Sequence, residues 1–263
     1  LTDTVAWFLA QGENVHAVPT EFREEVMGVN TLADLSHVRQ ILQEDILLEH
    51  LENGVLIEDP ASTYIDQDVS IGRNTRILPC TVIGAGVTIG ENCVVGPFSH
   101  LRVGTFLDDE SEVGNFVECK KTFIGKGSKA KHLTYLGDAS IGEGANIGAG
   151  TITANYDGTS KHPTVIGDGA FVGSGTVIVA PSQMGTKSMT GAGAIVTKNT
   201  SIAIAPNSFA STGDQGVHVA SGGTKGCHLN RGSIGLLPIA SGREVLSSTK
   251  GCKQNWGMGN FAG

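Results

Sequence analysis

The chain has 263 residues with 18 Lys and Arg against 26 Asp and Glu, a net charge of -8, and 37 glycines beside only 5% aromatic and 17% charged residues. A general nucleic-acid binder needs a basic surface excess that this balance does not supply. No run of eighteen apolar residues offers a membrane span, and Leu1-Thr2-Asp3-Thr4 lacks the basic and apolar regions of a secretory leader. Glycine at about twice its average usage favours turn-dense β structure over helix. The five cysteines Cys80, Cys93, Cys119, Cys227 and Cys252 form no C-x-x-C pair, which fits a reduced, cytoplasmic setting better than a disulfide framework.

Residues 1–30 are too short for a domain. Thr4–Ala10 reads as a helix and Asn14–Val18 as a strand, and with no initial Met the segment reads as the end of an α/β domain that lies upstream. From 31 to 55 the pattern changes. Thr31-Leu32-Ala33-Asp34 forms a capping-box signature, and Leu35, Val38, Leu42 and Ile46 follow at helical spacing, so a linker helix is expected over about 32–52.

A six-residue repeat dominates 60–205. Ile65, Ile71, Ile77, Ile83, Ile89, Val95, Leu101, Leu107 and Val113 recur in step; Ile141 and Ile147 resume the series, and Ile166, Val172, Ile178, Met184, Thr190, Val196 and Ile202 close it. Four residues on from many of these sits something small or β-branched, as at Thr75, Thr81, Cys93, Ser99 and Thr176, and glycine often follows the aliphatic residue directly. Period six is incompatible with a helical stripe near 3.6. It describes a short strand with its aliphatic side chain inward, a turn, a small corner residue and the next strand, stacked into a solenoid. The motif resembles the hexapeptide-repeat family, and that resemblance implies a left-handed parallel β-helix with three hexapeptides per coil.

Two stretches break the repeat, and solenoids place function in such breaks. In Lys120–Tyr135, five of the eighteen basic residues fall within twelve positions, and no acidic residue lies between Glu118 and Asp138. That is either an anion seat or a solvated charged face. Within it His132 is suited to take a proton near neutrality, with Glu118 as a possible orienting carboxylate, or it is simply structural. Thr153–Pro163 displaces the register and, with Asn, Asp, Gly and Pro, reads as a projecting arm, functional or inert. Residues 211–263 are Gly- and Ser-rich with one small apolar cluster at 234–239, and read as mostly disordered.

Gly114–Lys121, Gly125–Lys129, His132–Asp138 and Asn146–Gly158 resemble the acetyltransferase half of the bifunctional bacterial N-acetylglucosamine-1-phosphate uridyltransferase / glucosamine-1-phosphate N-acetyltransferase family, over roughly residues 1–205. The resemblance implies an all-β fold, a left-handed parallel β-helix preceded by the linker helix and the short α/β remnant. It also implies a homotrimer with sites at subunit boundaries and no nucleic-acid or membrane partner. Acetyl-CoA would be the co-substrate, with no metal needed for acetyl transfer; magnesium would serve only the uridyltransferase half, whose catalytic domain the chain lacks apart from Asn30 at a magnesium-ligand position. By motif position, Arg102, Lys120, Tyr135, Asn146 and Lys161 would hold glucosamine 1-phosphate. His132 would be the general base oriented by Glu118, Asn155 and Tyr156 would line the acetyl site, and Ala149, Ser174 and Ala192 would contact acetyl-CoA. The family's Arg beyond the last coil is missing from Ala205–Phe209, leaving Lys198 or Arg231 as substitutes.

Three other functions compete. A γ-type carbonic anhydrase would need convergent zinc ligands, and the repeat region offers only His100, His132 and His162, without paired spacing. Another hexapeptide acyltransferase with a different acceptor fits the same fold. An inactive trimeric scaffold is the non-enzymatic reading.

Overall fold

The computed structural model describes residues 2–197, 199, 208–213 and 216–221. Helix α1 (Thr2–Ala10) and helix α2 (Leu32–Glu52) precede the strands. α2 starts where its cap dictates: Thr31 Oγ1 accepts from the Asp34 N–H while Asp34 accepts from the Thr31 N–H, which closes a capping box. Leu47 and His50 are the buried residues of α2, and burial lowers the His50 pKa, with the Glu49 charge opposing. The strand expected at Asn14–Val18 does not form; among the described residues nothing pairs with that stretch, and an unpaired strand has no ladder to hold it.

The repeat folds as a left-handed parallel β-helix. Three parallel sheets make the faces of a prism. Face one holds seven strands from Leu56–Ile57 to Phe171–Val172; face two runs from Tyr64–Ile65 through Ile195–Val196 into the strands Ser208–Gly213 and Gly216–Ser221; face three holds seven strands from Ser70–Ile71 to Ser182–Met184. The last two strands of face two pair antiparallel, so strand structure enters the stretch beginning at 211 that was expected to be disordered. The rest of that stretch lies outside the described residues, as do Ile202, Lys198 and Arg231.

The aliphatic positions are the core. Ile65, Ile77, Ile83, Leu101, Leu107 and Val113 are fully buried, and the off-type Thr190 is buried with them. The small residues four positions on are buried at the corners, where Thr75 and Ser99 bond the Gly90 and Gly114 carbonyls of the next coil. Glycine after the aliphatic residue has a separate reason. A Cβ at Gly72 would stand 2.6 Å from the Glu91 nitrogen of the coil above, so the stacking distance itself excludes a side chain.

Coil length varies in a way that corrects one expectation. Val95 pairs with Val113, a step of 18 residues; Val113 pairs with Ala130 and Ala130 with Ile147, steps of 17; Ile147 pairs with Val172, a step of 25. The lysine-rich stretch is therefore no loop. It forms the strands Glu118–Lys120, Phe123–Ile124, Lys129–His132 and Tyr135–Gly137, and the inward series continues through Cys119, Ile124, Ala130 and Leu136. The first coil is also long, Ile57 pairing with Ile77 at a step of 20, but the step of 25 is larger and extrudes the arm at 155–163 between faces two and three.

Candidate active site

Two groups of residues occupy opposite edges of face two. At the edge it shares with face three, Arg102 and Lys120 stand on adjacent coils, linked by the Arg102 N–H to the Cys119 carbonyl. Glu118 Oε1 accepts from Arg102 Nη1 at 2.7 Å. The Lys120 ammonium faces that of Lys161 on the arm, and this contact, with Arg102 adding to it, lowers the Lys120 pKa against the opposing pull of Asp138. Three cations gathered beside only two carboxylates, Glu118 and Asp138, make a candidate anion seat. Above them Tyr135 and Asn155 converge over Gly137, where a Cβ would stand 2.6 Å from Tyr135 Oη and 2.7 Å from Asn155 Nδ2. Asn155 is nearly buried, and its Nδ2 donates to Asp138 Oδ2.

The arm is internally bonded. Tyr156 bridges to Lys161, Tyr156 Oη donates to the Gly158 carbonyl at 2.6 Å, and the His162 N–H returns to the Asn155 carbonyl at 2.8 Å. Asp157 accepts from the Ser160 and Thr159 N–H groups and meets His162 Nε2 at 2.6 Å; the Ser160 bond first, then His162 and Thr159, hold its carboxyl far below the usual range.

At the other edge, shared with face one, His132 ends the strand Lys129–His132 and aligns with Asn115 on the coil below. Counting up the coils from His132, the next residues in that column are Ala149, Ser174 and Ala192; the Gly175 N–H bonds the Ala149 carbonyl and the Gly193 N–H the Ser174 carbonyl. Four predicted site residues thus form one column with coils about 4.8 Å apart. Next to it runs a line of left-handed corners, Phe98, Phe116 and Leu133 low down and Gly150, Gly175 and Gly193 above. The low ones are bulky and exposed at 50%, 57% and 63%, with Phe98 and Phe116 stacked at 5.1 Å. His132 also borders a shallow cavity of about 150 Å³ lined by Gly96, Pro97, Gly114, Asn115 and Lys131. The larger hollows, about 340 and 500 Å³, lie between α2 and the first coils, away from these groups.

Not every expected neighbour is brought together within one chain. Glu118 accepts from Arg102 on face two and His132 ends a strand of the adjoining face one; among the described residues no hydrogen bond joins the two. Asn146 sits on face one between Lys129 and Phe171, apart from the cation group. Three of the five lysines are neutralised: Lys126 by Glu110 at 3.2 Å, Lys129 and Lys131 by Glu112 at 2.8 and 2.5 Å. Burial raises the Glu112 pKa, but the two lysines outweigh it and leave it lowered. Cys119 faces inward, where burial pushes its thiol up to about 12 and leaves it unreactive. Asn30 lies just before α2, its N–H given to Asp34, whose carboxylate the capping box already uses. Among the described residues no three His, Cys, Asp or Glu side chains converge on a metal site, so Asn30 has no acidic set to join. Asp138 and the exposed corner line were given no role from sequence; nothing in residue type distinguishes them from turn and core residues.

Residues 68–102 match the bacterial transferase hexapeptide family (six repeats). Curated proteins named bifunctional protein GlmU match at length: that of Desulfitobacterium hafniense is 41% identical over 76% of this chain and 51% of its own, and that of Pelobacter propionicus 44% over 76% and 51%. The protein from Thermosipho africanus is 45% identical over 71% of this chain and 49% of its own. The chain is a hexapeptide-repeat relative of the GlmU proteins. It spans about half the length of these relatives, and the matching family repeats fall in the β-helix. No helix among the described residues is long and apolar enough to cross a membrane.

Proposed function

We propose that the chain transfers the acetyl group of acetyl-CoA to the amine of glucosamine 1-phosphate, giving N-acetylglucosamine 1-phosphate for UDP-N-acetylglucosamine synthesis. The observation that carries this reading is the trio Arg102, Lys120 and Lys161, in which two ammonium groups face each other and a phosphate dianion would relieve their repulsion. Tyr135 and Asn155 beside the trio would receive the sugar and the acetyl group. Along the opposite edge, Ala149, Ser174 and Ala192 would hold the extended thiol arm of acetyl-CoA, leading down to His132. In the reaction the amine nitrogen attacks the thioester carbon, His132 takes the amine proton, the C–S bond breaks, and the thiolate leaves with a proton. The arm's backbone and Asn155 supply fixed donors for the oxyanion.

In one chain the two groups lie on opposite edges, so the complete site pairs the His132 edge of one subunit with the Arg102–Lys161 edge of its neighbour in a homotrimer. The exposed Phe98, Phe116 and Leu133 support that reading, because an apolar stripe beside a catalytic residue is covered in an assembly. The names of the relatives support GlmU-type chemistry, and only acetyl transfer is proposed for this chain. The test is thiol release from acetyl-CoA with glucosamine 1-phosphate, with glucosamine, and with His132→Ala. Release that requires both the phosphate and His132 establishes the activity. Equal release with glucosamine points to another acceptor, and a folded protein that releases nothing is a scaffold.

A further inference from the structure

We propose that Asp138 is a positioning residue that clasps both feet of the arm against the strand bearing Lys120, and so places Lys161 and Asn155 for the acceptor; this rests on the acetyltransferase reading above. Three bonds meet at this residue. Its N–H donates to the Lys120 carbonyl at 2.9 Å, its carbonyl accepts from the Thr164 N–H at 3.0 Å, and its Oδ2 accepts from Asn155 Nδ2. Asn155 is the residue on which the arm leaves face two, and Thr164 the one on which it rejoins the prism on face three. One side chain and its own peptide groups therefore fix entry, exit and the neighbouring coil together. The position is a left-handed corner at φ 49°, a conformation that Asp adopts more readily than most side chains and Gly more readily still.

The carboxylate has a second consequence that opposes the first. As a negative charge beside Lys120 it competes with an incoming phosphate, so its presence in an anion site needs the clasp as its reason. Charge and clasp separate by substitution. Asp138→Asn keeps an oxygen to accept from Asn155 and removes the charge. Asp138→Gly removes the acceptor at a backbone position that suits glycine, so loss of the bond is not confounded with corner strain.

The experiment measures steady-state kinetics and amide hydrogen exchange at 156–162 in the full chain for the wild type and both variants. Asp138→Gly should raise the KM for glucosamine 1-phosphate by about tenfold or more, leave the KM for acetyl-CoA unchanged, and speed exchange across the arm. Asp138→Asn should keep wild-type exchange with an acceptor KM equal to or below that of the wild type. The clasp is overturned if arm exchange in Asp138→Gly matches the wild type, or if Asp138→Asn loosens the arm as much as Asp138→Gly. If the wild type itself fails to acetylate glucosamine 1-phosphate, the functional reading falls, and the exchange comparison alone decides the clasp.

Discussion

At the scale of single residues the proposed site rests on His132 as proton acceptor and on the facing Lys120 and Lys161 ammonium groups. A general base contributes about 10²–10⁴ in rate, so His132→Ala should cut kcat by at least about a hundredfold with little change in acceptor KM. A loss carried by KM instead would make His132 a binding residue. Lys120 makes a pH prediction of definite sign. Its pKa is lowered, chiefly by Lys161, so on raising pH it loses its charge before an ordinary lysine does, and anion affinity falls over that interval. Glucose 1-phosphate, which has no amine, isolates the effect: its dissociation constant, read by calorimetry, should rise with alkaline pH in the wild type, and Lys161→Ala, while weakening binding at neutral pH, should move that rise to higher pH. A profile that does not move in Lys161→Ala would mean that the two ammonium groups do not sense each other in solution.

At the scale of elements, each strand from Leu56–Ile57 to Ile195–Val196 has two to four residues and is held by its neighbouring coils rather than by its own length. Close stacking makes certain glycines irreplaceable for reasons of space. A Cβ at Gly148 would stand 2.5 Å from the Val172 carbonyl oxygen and 2.6 Å from the Ser174 nitrogen, both backbone. Gly148→Ala should therefore cost about 1–3 kcal/mol, read as a lower denaturation midpoint, and also disturb the Ala149–Ser174 edge. Gly144→Ala, with open space around its Cβ, serves as the contrast in which only the left-handed φ of 61° opposes the change. These elements were legible in the sequence wherever the inward position was aliphatic and the step six, which is why Ile65 to Val113 could be placed residue by residue. Between Val113 and Ile147 two coils lose one residue each, and Cys119 and Ala130 take inward positions, so the same fold read as a break. The site was legible as a set of residue types, but which edge each occupies depends on coil length. That is why Glu118 and His132, fourteen residues apart, fall on different faces.

For the whole molecule, the proposed division of the site between two subunits makes the most demanding prediction. From the corner at Leu133 to the corner at Asp138 face two is five residues wide, about 16 Å in extended chain, and the proposed site sets His132 at one edge and the Lys161 arm at the other. In the proposed homotrimer the His132 edge of one copy would face the arm-bearing edge of the next at every boundary. His132→Ala and Lys161→Ala should each be nearly inactive alone, since each removes one half of every site. Refolded together in equal amounts, they assemble at random, and a boundary works when its His132 edge comes from the Lys161→Ala chain and its arm from the His132→Ala chain. That combination occurs at about a quarter of boundaries, so the mixture should recover up to about a quarter of wild-type activity per site. If each prism held its own complete site, every site in the mixture would carry one of the two defects and no activity would return. Mixing the folded variants without dissociation should also restore nothing until subunits exchange, so the rate of recovery reads the lifetime of the assembly.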